Sequence, residues 1–372
     1  MRPRPGPCDT LPGATMTSLA TTEVLSFRHL LTGAIEEFLA AQGLGSDGFA
    51  NDVAETIVAL SRYREEGAAL FPAVFFGDDL PSLLERLGGR DPVVVGAGPR
   101  MPITTRRALK QCAPLGKGAW AIFLVRRHEA YEYGVFRADD FVLSESPMAR
   151  LRALRDPALR VIGIVQLAEN ILEVRSSAGA GRLVHLSGAR TDVPPATMLL
   201  LELVGAITRD VPDELRPETG TFFRRVLIDA LRSTHGSLIA VLPHGSHDVG
   251  PFTDGLLLAA PLDVAARVER WRRDGSIAAR SGVQGLAQLL GGMLSADGIT
   301  LLGSDGSIVG YNVFLHPGPG PGTDEGSLGG ARQRTFRALA SEVGRTLVAA
   351  FVRSQDGYSE CRIADDRDPV WR

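Results

Sequence analysis

The chain is predicted to be an α/β protein built of two α/β domains. Three observations predict this. Short apolar runs rich in β-branched and aromatic residues alternate with stretches of 3.6-residue periodicity along most of the sequence. A proline-marked polar break, Pro194-Pro195 and then residues 210–218, interrupts that pattern near the middle. At 372 residues the chain is long enough for two domains of ordinary size, each with its own core.

The elements follow in order. Residues 1–20 are rich in Pro and Gly and lack the apolar segment of a signal peptide, so they read as a disordered tail, with Met16 as an alternative start. Leu30, Leu31, Ile35, Phe38 and Leu39 recur at helical spacing, and a second helix is expected over 51–63. Then come a strand at 73–76, a helix at 80–87, a strand at 93–95 and a helix at 105–112. Residues 119–125 and 131–136 read as a hairpin, followed by strands at 161–166, 171–174 and 183–186. These make an N-terminal α/β domain over 21–193, and 194–215, with an apolar helix at 198–207, reads as a helical connector. The second domain, 216–366, carries a helix at 222–231, strands at 237–242 and 255–260, and a helix at 283–294. Strands at 298–302 and 307–315, a helix at 332–343, and strands at 346–351 and 358–362 complete it. No internal repeat of fixed period is visible, although both halves share a helix, strand and hairpin character.

Composition excludes several functions. Lys+Arg number 40 and Asp+Glu 43, so no global basic field recruits DNA or anionic lipid, and phosphate binding has to be local. Cys8, Cys112 and Cys361 are far apart and fit neither a disulfide framework nor a zinc site, which points to reduced thiols in a cytoplasmic protein. No apolar run approaches the roughly 20 residues of a membrane helix.

The residues 297–334 carry the chemistry. Asp297-Gly298-Ile299 places a carboxylate at the start of a strand, and Gly330-Ala331-Arg332-Gln333-Arg334 places two arginines at the start of a helix. Between the strand hairpin and that helix, His316-Pro317-Gly318-Pro319-Gly320-Pro321-Gly322 can be neither helix nor central strand, and reads either as a plain surface loop or as a loop bordering substrate. A carboxylate can hold a divalent metal, while arginines and a helix N-terminus can hold phosphates. Taken alone, Asp297 also suits a turn that bonds its own backbone, and the arginines a solvated helix face. Residues at i and i+2 on a helix point in different directions, which leaves one of the two arginines for a structural role.

In these two motifs and their order, the C-terminal part resembles the diadenylate cyclase (DAC) domain. That family's signatures are Asp-Gly-Ala at a strand start and Gly-Thr-Arg-His-Arg at a helix start. The stretches Arg225-Val226-Leu227, His235-Gly236-Ser237-Leu238-Ile239, Leu339-Ala340-Ser341-Glu342 and Leu347-Val348-Ala349-Ala350 are also similar, so the likeness runs from about 216 to about 365. The resemblance implies a mixed sheet flanked by helices, with a DACNV-like sensor domain ahead of it. It implies condensation of two ATP to cyclic di-AMP, a bacterial second messenger, with Mg²⁺ or Mn²⁺ and a homo-oligomer in which two DAC domains face each other. Asp297, Arg332 and Arg334 are then the catalytic residues, with Asp297 as the metal ligand. Gly298, Ile299, Gly330, Gln333 and Thr335 border the nucleotide. Three positions depart from the family pattern: Gln333 stands for its central His, Ile299 for Ala and Ala331 for Thr. Gln333 keeps hydrogen bonding but cannot carry a proton. Ile299 either narrows the pocket or fills the core. The alternative function is a nucleotide-binding sensor that has lost turnover.

Other motifs carry less. Residues 93–101 contain Gly96-Ala97-Gly98 but have Met101 where a dinucleotide loop needs its third glycine, and Gly116-Lys117-Gly118 lacks the flanks of a P-loop. His244, His247 and Asp248 read as a solvated loop, and Arg267, Arg270, Arg272, Arg273 and Arg280, around Trp271, as a solvated face.

Overall fold

The computed structural model describes residues 26–45, 48–116, 118–168, 170–186, 196–233, 236–246, 252–315, 331–354, 358–365, 368 and 370. The tail expected over 1–20, the Pro/Gly loop at 316–322 and Gly330 lie outside these residues. The α/β class and its mixed sheets are as the sequence predicts.

The N-terminal half begins with α1 (Phe27–Ala41) and α2 (Phe49–Leu60), then a two-residue ladder of β1 (Arg64–Glu65) and β2 (Ala68–Ala69). It continues through β3 (Val74–Gly77), α3 (Leu80–Leu87), β4 (Arg90–Pro99), α4 (Pro102–Cys112), β5 (Trp120–Arg127) and β6 (Ala130–Arg137). It ends with α5 (Pro147–Ala153), β7 (Ile162–Ala168), β8 (Ile171–Ser176) and β9 (Gly181–His185). The C-terminal half comprises α6 (Ala196–Ile207), α7 (Arg216–Ser233), β10 (Ser237–Leu242), β11 (Phe252–Asp263), α8 (Val264–Asp274) and α9 (Ile277–Ser295). It closes with β12 (Ile299–Gly303), β13 (Ser307–Leu315), α10 (Ala331–Glu342), β14 (Ala349–Arg353) and β15 (Ser359–Ile363).

Local chemistry sets these boundaries. Asp79, Asp263 and Ser276 cap α3, α8 and α9 by accepting a hydrogen bond from a backbone N–H of the first turn. The short helix α5, not expected from its weak periodicity, is fixed the same way by Ser146 with Pro147 at its start. Helix α7 starts at Arg216, inside the stretch expected to be a polar break, because Pro217 and Glu218 suit a first helical turn as well as a loop.

Two large sheets result. The first has the order β4-β6-β5-β3-β7-β8-β9 and the second β11-β13-β12-β10-β14-β15. In each, a central strand runs parallel to the first strand of a hairpin, β3 beside β5 and β10 beside β12, and the other neighbours are antiparallel. Strands β3, β10, β12 and β14 are buried throughout, so they read as continuous apolar runs rather than alternating ones. Helices cover both faces of each sheet, giving two apolar layers per half. Helix α6, expected as a connector, packs on β15 and α7, with Leu200, Leu203 and Ile207 buried.

The halves touch each other. Phe141 meets Trp271 with ring centroids 5.1 Å apart, Arg280 pairs with Asp139 at 2.7 Å, and the amide of Val142 donates to Gln284 Oε1. Arg280 and Trp271 therefore build an internal contact, a correction to the solvated face expected of that basic stretch.

Candidate functional site

The residues singled out at 297–299 and 331–335 are far apart in sequence and come together through β12 and α10. Asp297, Gly298, Ile299, Arg332, Gln333 and Thr335 line one cavity of about 860 Å³ at the head of the second sheet. Its size is that of a site for a nucleotide-sized ligand.

Each side chain has a distinct local setting. Asp297 lies immediately before β12, its side chain 90% exposed, and Arg332 Nη2 is 3.6 Å from Asp297 Oδ1. Among the described residues the carboxylate makes no bond to its own turn, unlike Asp305, which accepts from the Ser307 amide at 3.0 Å. So exposed and long a pair adds little stability, and both groups can exchange it for a ligand. Gly298 has φ +87°, and a Cβ there would sit 2.9 Å from the Val313 carbonyl oxygen. A side chain at this position would strain the backbone and collide with β13, so glycine is required by the close packing of the turn. Ile299 is only 1% exposed and packs with Leu301, Val313, Phe336 and Leu339, so its bulk fills the core beneath the cavity floor.

The helix start divides its residues. Arg332 and Gln333 line the cavity, whereas Arg334 is exposed and does not line it. Two positions along a helix turn a side chain to another face. The Thr335 hydroxyl lines the cavity but donates to the Ala331 carbonyl at 3.1 Å, so it faces a ligand as an acceptor. Phe314, Leu238, Ser354 and Tyr358 complete the wall. None of these four was singled out from sequence: Phe314 and Leu238 sit on strands whose apolar pattern reads only as core, and Ser354 and Tyr358 lie just outside the ends of β14 and β15. Phe314 is 46% exposed and offers an aromatic face to the cavity. Tyr358 donates to Glu360, and burial together with that bond pushes its phenol up to about 12.

Among the described residues no group of three or more His, Cys, Asp or Glu gathers as a metal site. A single hard oxygen donor, Asp297, suits a Mg²⁺ that takes its other ligands from phosphates and water. His244 Nδ1 lies 3.0 Å from Asp305 Oδ2, away from this cavity, while His247 and Asp248 lie outside the described residues. The segment 93–99 is paired strand, not a dinucleotide loop. Burial pushes the thiols of Cys112 and Cys361 up to about 11 and about 12, which removes them as nucleophiles at neutral pH. Among the described residues no helix is long and apolar enough to cross a membrane. No protein-family model matches this chain, and no curated protein matches it.

Proposed function

We propose that the Asp297 cavity binds ATP and that the chain is a diadenylate cyclase, joining two ATP molecules into cyclic di-AMP. The observation that carries this reading is the convergence of Asp297, Arg332 and Gln333 on one cavity of nucleotide size. A carboxylate alone or an arginine alone would say little.

Arg332 leaves its loose pair with Asp297 and makes charge-assisted hydrogen bonds to the triphosphate, offsetting the negative charge that shields the α-phosphorus. Asp297, released, would hold a Mg²⁺ or Mn²⁺, which when bound lowers the pKa of an attacking hydroxyl and polarises a phosphate oxygen. Gln333 donates and accepts hydrogen bonds but carries no proton, so it orients rather than acts as an acid. Phe314 supplies a face for the base. In the reaction each ATP 3′-oxygen bonds to the α-phosphorus of the other ATP, and each bond from α-phosphorus to the bridging oxygen breaks. Two pyrophosphates leave, and the two hydroxyl protons pass to solvent. One cavity takes one nucleotide, so a second copy of the chain must face the first, and turnover requires a dimer or larger homo-oligomer.

A second reading, ATP binding without turnover, is favoured by Gln333, which cannot shuttle a proton. One experiment separates the two: purified protein with ATP and Mg²⁺ or Mn²⁺, products identified by mass, alongside calorimetric ATP binding. Cyclic di-AMP supports the cyclase. Binding without product sinks the cyclase and leaves the sensor, and no binding rejects both.

A further inference from the structure

The Asp297 cavity has a counterpart in the other half. Strands β3 to β8 repeat the order and the pairing senses of β10 to β15, with β9 as an addition at the edge. On this map the start of β5 answers to the start of β12, and the start of α5 to the start of α10. Those corresponding residues, Gly118, Ala119 and Trp120 with Ser146, Pro147 and Met148, line a second cavity of about 490 Å³. A neighbouring one of about 420 Å³ shares Gly118, Ala119, Arg225 and Asp229 with it.

The position is repeated but the chemistry is not. Gly118-Ala119 stands where Asp297-Gly298 stands in the other half, and α5 opens on Pro147-Met148 with no arginine. Cations come instead from α7 of the C-terminal half. Arg225 and Arg232 both line the cavity, and they donate to the carbonyls of Ser144 and Gln166, each at 3.0 Å, across the junction. Arg232 Nε is buried and meets no acceptor among the described residues. A buried N–H of a cation left unpaired is costly, and an acceptor bound in the cavity would relieve that cost. Burial, with Arg152 and Arg225 nearby, lowers the pKa of Arg232 even though Asp229 opposes the shift. Asp229 Oδ1 is 3.9 Å from Arg232 Nη1 and its side chain is 65% exposed. Phe71, Trp120, Met148 and Ile228 give the cavity apolar walls.

We propose that this cavity binds a small organic carboxylate with an aromatic or aliphatic body, held between the two halves with its head on Arg232 and Arg225. Two arginines against one aspartate leave a single positive charge, which matches a monoanion better than a phosphate dianion. Arg232 lies in the last turn of α7, which leads into β10, and Leu238 of β10 lines the first cavity. A ligand on Arg232 therefore pulls on an element that reaches the other site. The proposal stands whether or not the first cavity binds ATP.

The test uses the full chain and the fluorescence of Trp120, with Trp120→Phe as control for the source of the signal. Benzoate and 3-phenylpropionate are titrated beside their neutral amides and phenyl phosphate, and melting is followed in parallel. At least one carboxylate should bind saturably, raise the melting temperature, and bind about 10-fold or more tightly than its amide. Arg232→Met and Arg225→Gln should each weaken it about 10-fold, and Ala119→Leu should block it by filling space. Asp229→Asn should tighten it a few-fold. If Arg232→Met fails to fold, Arg225→Gln and Ala119→Leu decide. The proposal falls if neither carboxylate binds, if amides bind equally, if folded variants bind like the parent, or if phenyl phosphate outcompetes both carboxylates.

Discussion

The two halves share a strand order and differ in what stands at the mouth of the equivalent cavity. Asp297 and Arg332 occupy it in the C-terminal half, while Gly118 and Met148 occupy the corresponding places in the N-terminal half. The topology thus fixes where a cavity forms, between a strand start and a helix start, and a few side chains decide what it can do. The sharpest way to break this comparison is to remove the carboxylate. Asp297→Asn is expected to lower cyclic di-AMP formation by at least about 100-fold while ATP still binds. Product formation at the parent's rate would strip Asp297 of its role and make the two cavities alike in kind.

The arginines of α10 give the next largest contrast. Arg332 lines the cavity and Arg334 does not. Loss of charge-assisted hydrogen bonds to phosphate costs about 1.5–3 kcal/mol, so Arg332→Ala should weaken ATP binding about 10-fold or more. Arg334→Ala should change it by no more than about 3-fold. Calorimetry on the two variants checks this, and equal losses would mean that both side chains reach the nucleotide.

Much of this contrast was legible in the sequence, for identifiable reasons. β10 and β13 were read to the residue because a fully apolar run and a β-branched, aromatic run are each bounded by turn residues. Asp297 and Arg332 could be paired because both stand where an element begins, and their meeting needs only that β12 and α10 sit at one end of a sheet. The reason for Gly298 was not legible, since it lies in the packing of β13 against the turn. Phe314 was missed because a strand residue's face depends on register, and the bulged pairing of β12 with β13 is invisible locally; Tyr358 was missed because it lies just before β15, where no periodicity assigns a face. The topological repeat was missed because strand order is a non-local property that conserved spacing need not accompany. The split between Arg332 and Arg334 was anticipated from helix geometry, but which of them faces the cavity required the structure.

The comparison also has a junction, and acid should weaken it. Burial alone would raise the pKa of Asp139, but the Phe141 amide, the Ser144 hydroxyl and Arg280 outweigh it and hold the carboxyl below the ordinary carboxylate range. In the same way Arg152 and Arg175 outweigh burial at Glu173, inside the N-terminal half. A carboxylate with a depressed folded pKa contributes stability that is complete above its unfolded value of about 4 and is lost as pH falls through the folded value. Melting temperature should therefore fall as pH drops from about 5 to about 3. Asp139→Asn should lower the melting temperature near neutral pH by about 2 °C and flatten part of that slope, and Glu173→Gln should do likewise. A slope unchanged in both variants would place the acid-sensitive groups elsewhere.

The smallest effect is expected at Thr335, and it tests how the helix start meets phosphate. A threonine near a helix start is a natural donor to an anion. Here the hydroxyl proton is already given to the Ala331 carbonyl, and what remains facing the cavity is lone pairs, which a phosphate oxygen repels. Losing the side chain therefore removes no donor from the ligand and frees the Ala331 carbonyl for water. Thr335→Ala should change ATP affinity by less than about 3-fold, and Thr335→Val, which keeps the shape, should match it. A loss near 10-fold in both would show that the hydroxyl turns from the helix to the ligand on binding. The start of α10 would then act through Arg332 and Thr335 together.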